Sequence, residues 1–215
     1  MTISQNQHHE KRKASVGQNH DQSLIDRFGI WLSKRAIQSD LGDVSGSSLA
    51  DFGCGFKAEI GMLFVDQVQE LIVADLSLEP ALKDISNVTT YSGYLPGSLA
   101  ERKDESIDFI LGNNILEHLF DAQSLLDECF RLLRPGGKLF ANVPSWRGKY
   151  FLEASAFKFG LSPAAEMNDH KMYYDPRELW PLLVRAGFIP QQIKIKRHKF
   201  GLNTKAIAIK NVDES

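Results

Sequence analysis

The chain has 215 residues, 43% of them hydrophobic and 24% charged, enough for the core of one domain and too few for two ordinary ones. Its 25 basic and 27 acidic side chains leave a net charge of −2, so no global positive field recruits nucleic acid. Two cysteines, Cys54 and Cys129, cannot build a disulfide framework and point to a reducing compartment. No apolar run approaches the ~18 residues of a membrane span, and the N-terminus shows no secretory signal. These features predict a soluble cytoplasmic protein.

Residues 1–22 hold half of the six histidines and almost no large apolar side chains, a composition that predicts a flexible tail. A metal or phosphate arm built on His8, His9, Lys11, Arg12 and Lys13 is the weaker reading of the same stretch. Residues 23–215 read as one domain. From Ser23 a helix is expected, with Leu24, Phe28, Trp31 and Leu32 on one face, followed by a Gly/Ser/Asp linker over 41–48. Strand and helix signals then alternate: strand 49–52, helix 58–65, strand 70–77, a short helical piece over 80–85, and strands at 88–91 and 107–111. The apolar stripe of 121–134 marks the clearest helix, capped by Asp121 and stopped by Pro135-Gly136-Gly137, with a fifth strand over 138–143. Asp175-Pro176-Arg177-Glu178 opens a last helix that ends at Gly187 and is kinked or divided by Pro181. Two extended segments, 188–199 and 205–210, meet in a turn at Gly201-Leu202-Asn203, with Pro190 delaying the first one's pairing. The pattern predicts an α/β, doubly wound, mostly parallel seven-stranded sheet that closes in an antiparallel hairpin.

Asp51-Phe52-Gly53-Cys54-Gly55 lies where the first strand ends, and Gly53 and Gly55 let the backbone bend tightly beside a ligand. Twenty residues beyond Gly55, Asp75 ends the second strand, where its carboxylate can accept bonds from both hydroxyls of a ribose. Two cofactor classes use such a pattern, a nicotinamide dinucleotide and S-adenosylmethionine. Asp51 separates them: a carboxylate there repels a pyrophosphate and favours the ammonium and sulfonium of the methyl donor.

The segments LADFGCG, VADLS, DFILGNNILEHL and LLRPGGKLFANVPS, in that order and spacing, resemble the class I S-adenosylmethionine-dependent methyltransferases, in the branch whose fourth strand runs into Glu117-His118-Leu119. The likeness covers residues 49–145, and the closing hairpin fits it. It implies a Rossmann-like fold, S-adenosyl-L-methionine as cofactor and methyl transfer by in-line displacement. It places Asp51, Gly53, Cys54 and Gly55 around the methionine part, Asp75 on the ribose, Leu76 against adenine, and Asn113 beside the methyl. The chain departs from the family twice: Lys57 replaces the usual third glycine, and Tyr94 stands where an acid commonly meets adenine.

The segments leaving strands four and five, 113–118 and 144–174, form the expected acceptor rim. The stretch 145–174 reads as a lid or acceptor-binding insertion and carries Trp146, Tyr150, Phe151, Phe157, Phe159, Tyr173 and Tyr174. Asp169-His170 could supply a base near neutral pH, and His118 is the second catalytic candidate, with an orienting role as its alternative. No spacing of His, Asp and Glu suggests a metal site. The basic run at 194–199 reads as a solvated strand face, with a phosphate-bearing acceptor as the alternative. The predicted function is methyl transfer to a small-molecule acceptor without nucleic acid. The rivals are a nicotinamide oxidoreductase and a methyltransferase-like binding protein without turnover.

Overall fold

A computed structural model describes Ser15, residues 24–153 and residues 170–212, the side chains of 24–30, 152 and 153 excepted. The expected tail, apart from Ser15, and Phe157, Phe159 and Asp169 of the insertion fall outside those residues.

Strand β1 (Ser48–Phe52) is buried at every position, and β2 (Glu70–Asp75) at all but its first. That continuous burial is what central parallel strands covered on both faces require. With β3 (Val88–Ser92), β4 (Ile107–Asn113), β5 (Leu133–Pro144), β6 (Ile193–His198) and β7 (Asn203–Ile209) they form a seven-stranded sheet ordered β3-β2-β1-β4-β5-β7-β6. β1 pairs in parallel with β2 and β4, and β7 runs antiparallel between β5 and β6. The strand order reverses at β1, so the carboxyl ends of β1, β2 and β4 frame the crevice where such sheets bind ligands.

Each face of the sheet carries its own core. On one side Ala50, Phe52 and Ile110 pack with helix α2 (Ala122–Leu132) and helix α4 (Pro176–Ala186). On the other, Leu49, Leu71 and Phe140 pack with helix α1 (Leu24–Leu41). Asp121 caps α2 by accepting from the Ser124 amide, as expected. Asp175 and Glu178 form the capping box of α4, which stays one helix through Pro181 and ends at left-handed Gly187.

The structure corrects three expectations and bears out a fourth. The face that α1 buries holds Ser33, Ala36, Ile37 and Leu41, whereas Trp31 is 47% exposed under the Arg35 guanidinium. The Pro-Gly-Gly segment, expected to stop a helix, is carried as an irregularity inside β5, where pairing with β4 jumps from Leu133 to Lys138. Strand β6 begins only after a 3-10 turn at Pro190–Gln192, the delay that Pro190 was expected to impose. The helix expected over 58–65 shrinks to a 3-10 turn, Gly61–Phe64. Ala58 is left-handed at φ +49°, which no helix start tolerates, and the Gly61 amide is drawn to the Asp51 side chain.

Candidate functional site

The β1 turn is tight. The Gly53 amide donates to the Ala74 carbonyl at 2.8 Å, stitching the turn to the end of β2. Gly53 sits at φ +70°, and a Cβ there would lie 2.7 Å from the Ile115 side chain, so only glycine fits. That contact also seats the β4 turn directly against the β1 turn. Gly55 donates its amide to Asp75 Oδ2 at 2.8 Å, and the Leu76 amide meets Oδ1 at 2.7 Å. Asp75 is thereby aimed across the crevice by two backbone donors.

Asp51 is only 2% exposed and accepts from the Gly61 amide at 2.9 Å. Burial, reinforced by the nearby Asp75 charge, raises its carboxyl to about 7. The group is therefore poised between neutral and charged, and a cation at this spot would draw it to the charged form. The Cys54 thiol is pushed well up by burial and by both carboxylates, and burial does the same to Cys129, so neither is a nucleophile. Tyr94 is 47% exposed beyond β3, and Leu76 is half-buried beside Asp75. Asn113 ends β4, where its Oδ1 accepts from the wholly buried Asn142 of β5 at 2.9 Å.

A third partner of Asp75 comes from far along the chain. The Ser15 hydroxyl lies 2.5 Å from Asp75 Oδ1 and 2.6 Å from the Ser77 carbonyl, and accepts from the Ser77 amide at 2.9 Å. No motif announces this contact, because it joins residues 60 apart.

Past Ile115 the chain makes a 3-10 turn, Leu116–His118, that buries Glu117 to 1% exposure. The segment entering α4 is laid on this turn, since the Lys171 amide donates to the Glu117 carbonyl at 2.6 Å. The His118 and His170 rings meet edge to face with centroids 4.9 Å apart. His170 Nδ1 shares a hydrogen bond of 3.2 Å with the Tyr173 hydroxyl, and Trp146 packs on Tyr173 at 5.6 Å. One carboxylate oxygen of Glu117 and one ring nitrogen each of His118 and His170 lie within 4.8 Å of one another. Glu117 and His118 are neighbours in the chain, but His170 joins them only in space, so spacing along the chain could not reveal the cluster.

The aromatic insertion divides. Tyr173 and Tyr174 are buried, whereas Trp146, Tyr150 and Phe151, on helix α3 (Trp146–Glu153), are exposed. Burial and the Glu117 charge raise the Tyr174 phenol to about 12. Lys199, at the tip of the β6–β7 hairpin, is lowered to about 8 by burial, with Glu117 opposing the shift. Lys199 and Phe200 both hold positive φ, a strained tip fixed where Ser145 bonds the Gly201 and Leu202 carbonyls. Lys194 and Lys196 are exposed on β6.

Residues 50–141 match the methyltransferase domain family. A protein of Mycolicibacterium smegmatis named as an S-adenosylmethionine-dependent methyltransferase is 41% identical over 97 residues, which is 43% of this chain and 33% of the relative. The chain therefore spans about a third of that relative's length. The ubiquinone biosynthesis O-methyltransferase of Pseudomonas fluorescens is 25% identical over 173 residues, 76% of this chain and 71% of the relative. A crystal structure of a SAM dependent methyltransferase from Archaeoglobus fulgidus shares the fold at TM-score 0.60 and 17% identity, covering 84% of this chain and 94% of that one. Residues 50–141 are thus a methyltransferase domain, similar to that of an S-adenosylmethionine-dependent relative.

The cofactor of this methyltransferase family is S-adenosyl-L-methionine. The described residues fit it: a turn a Cβ would obstruct, an oriented carboxylate at the second strand end, and a buried acid that a cation would ionise. A dinucleotide fits poorly. Its pyrophosphate calls for a helix N-terminus after the turn, and a short 3-10 turn over an acid stands there instead.

Proposed function

We propose that the chain transfers a methyl group from S-adenosylmethionine to an oxygen of a small-molecule acceptor. Bound at the β1–β2 crevice, the donor supplies an electrophilic methyl on a positively charged sulfur. Gly53, Cys54 and Gly55 would line the methionine part, with Asp51 as the counter-charge. Asp75 would accept from the ribose hydroxyls, and Leu76 and Tyr94 would border the adenine. Asn113, held by Asn142, would mark the methyl end.

The observation that carries this reading is the pair of acids closing adjacent parallel strands around a glycine turn, with Asp75 oriented by the Gly55 and Leu76 amides. Positioning supplies much of the rate of such a displacement, on the order of 7–11 kcal/mol from aligned reactants. A hydroxyl acceptor must also lose its proton, and the Glu117–His118–His170 cluster stands just past the methyl end to take it. The relatives named for O-methylation favour oxygen as the atom methylated. The buried Tyr173 and the half-exposed Trp146 beside it suit a planar, partly apolar acceptor.

Calorimetric titration with S-adenosylhomocysteine and, separately, with NAD tests the site. Binding of the first and not of the second is expected, and Asp75→Ala should weaken it at least about tenfold, the loss of one charge-assisted bond. NAD binding without donor binding, or unchanged affinity in the variant, would overturn the assignment. Donor binding without methylation of any hydroxylated aromatic acceptor would favour a binding protein of the same fold.

A further inference from the structure

We propose that Glu117, His118 and His170 hold one divalent transition-metal ion at the acceptor side of the crevice, an inference that rests on the proposed methyl transfer only for its use.

The three donors come from two elements that the backbone has already joined. Glu117 and His118 leave β4 on one 3-10 turn, and the Lys171 and Met172 amides both bond the Glu117 carbonyl, bringing His170 alongside. Their ligating atoms lie within 4.8 Å of one another. Ligands held at about 2.0–2.2 Å from a shared ion stand at most roughly 4.2 Å apart, so small side-chain rotations close the set. The Tyr173 hydroxyl engages His170 Nδ1 and fixes the ring's direction, as partners behind metal-binding histidines do. Glu117 is 1% exposed, so its carboxylate is held inside the fold beside the two imidazoles.

Two imidazoles and one carboxylate suit Mn²⁺, Fe²⁺, Co²⁺ or Zn²⁺ better than the oxygen-seeking Mg²⁺ and Ca²⁺. Three protein ligands leave coordination positions open. An acceptor hydroxyl placed there is both oriented and made more acidic, its proton leaving to water before the oxygen attacks. The cluster would then act on the acceptor through the ion rather than as a free histidine base. Lys199 is the rival cation, since its ammonium already feels the Glu117 charge. If Lys199 alone balances Glu117, no ion is taken up.

The test uses the full chain, stripped with chelator and dialysed against Mn²⁺ or Zn²⁺ singly, with bound metal counted and thermal melts recorded. One equivalent is expected at the site, with a raised melting temperature. Glu117→Gln and His170→Ala should each weaken Mn²⁺ binding at least about tenfold while leaving S-adenosylhomocysteine affinity unchanged. Added Co²⁺ should show visible d–d absorption that His170→Ala alters. Metal uptake identical in wild type and both variants would place the ion on other residues, the tail histidines included, and would overturn the site. So would no uptake at all. Loss of S-adenosylhomocysteine binding in the wild type with metal binding intact would sink the methyl-transfer reading and leave this site standing.

Discussion

At the scale of single residues, Asp75 is already engaged on the side a ribose would approach. The Ser15 hydroxyl, 4% exposed, lies on Oδ1 and shares that oxygen with the Leu76 amide. A donor that uses the same carboxylate must displace this contact, and a single net hydrogen bond is worth about 0.5–1.5 kcal/mol. Ser15→Ala should therefore tighten S-adenosylhomocysteine binding by about threefold to tenfold, read by calorimetry on the full chain. Weaker binding in that variant would make the hydroxyl part of the donor site instead of its competitor. The comparison shows what single positions reveal in a sequence. Asp51, Gly53 and Asp75 are legible because strand ends and glycine turns are local patterns, and the pattern itself states the geometry. Ser15, Asn142 and Lys199 reach the site from distant segments, and nothing in their immediate neighbours marks them.

Between residues and molecule stand the elements, and the β1 turn with the β4 turn behaves as one of them. Gly53 holds φ +70° with the Ile115 side chain 2.7 Å from where a Cβ would be. Gly53→Ala therefore combines left-handed strain of roughly 1–2 kcal/mol with overpacking of about 1–3 kcal/mol. A fall in melting temperature of at least about 5 °C is expected, together with weakened donor binding. Ile115→Ala in the same chain should return part of the loss, since it removes the Cγ1 and Cδ1 contacts, while the Cβ of residue 115, also 2.7 Å away, and the strain remain. Strict additivity of the two substitutions would show that the turns do not press on each other. Strand positions and capping were legible at this scale because apolar runs and cap residues are written locally: the five parallel strands of the centre, the Asp121 cap and the Asp175–Glu178 box all fall where the residues place them. The helix over 58–65 was not, because its apolar spacing suits a helix while a tertiary bond from Gly61 to Asp51 takes the amide away. The same bond explains the change in the site, where a side-chain carboxyl, and no helix end, lies beneath the glycine turn.

For the whole molecule that buried acid links folding, pH and function. The Asp51 carboxyl moves from 3.8 to about 7 on folding, so the folded state holds its proton more tightly than the unfolded chain. Its contribution is favourable below pH 3.8, declines as pH rises through 7, and leaves a buried charge above that. Between pH 5 and pH 8 this amounts to a loss of about 2–3 kcal/mol of stability, taking 1.36 kcal/mol per unit. Asp51→Asn removes the proton equilibrium and keeps the side chain's size. Urea unfolding at the two pH values should therefore show the wild type losing about 2–3 kcal/mol more than the variant, since the other titrating groups are common to both. Equal losses would mean that Asp51 ionises in the fold as easily as in water. Binding runs the opposite way. A positively charged donor beside Asp51 favours the carboxylate, so association releases a proton and S-adenosylmethionine affinity should rise from pH 6 to pH 8, then level off. In Asp51→Asn the affinity should be lower and this rise absent. The donor would thus return, when it binds, part of the stability that the vacant acid costs the fold, and a melting-temperature increase on adding S-adenosylmethionine that is larger at pH 8 than at pH 6 is the sign of it.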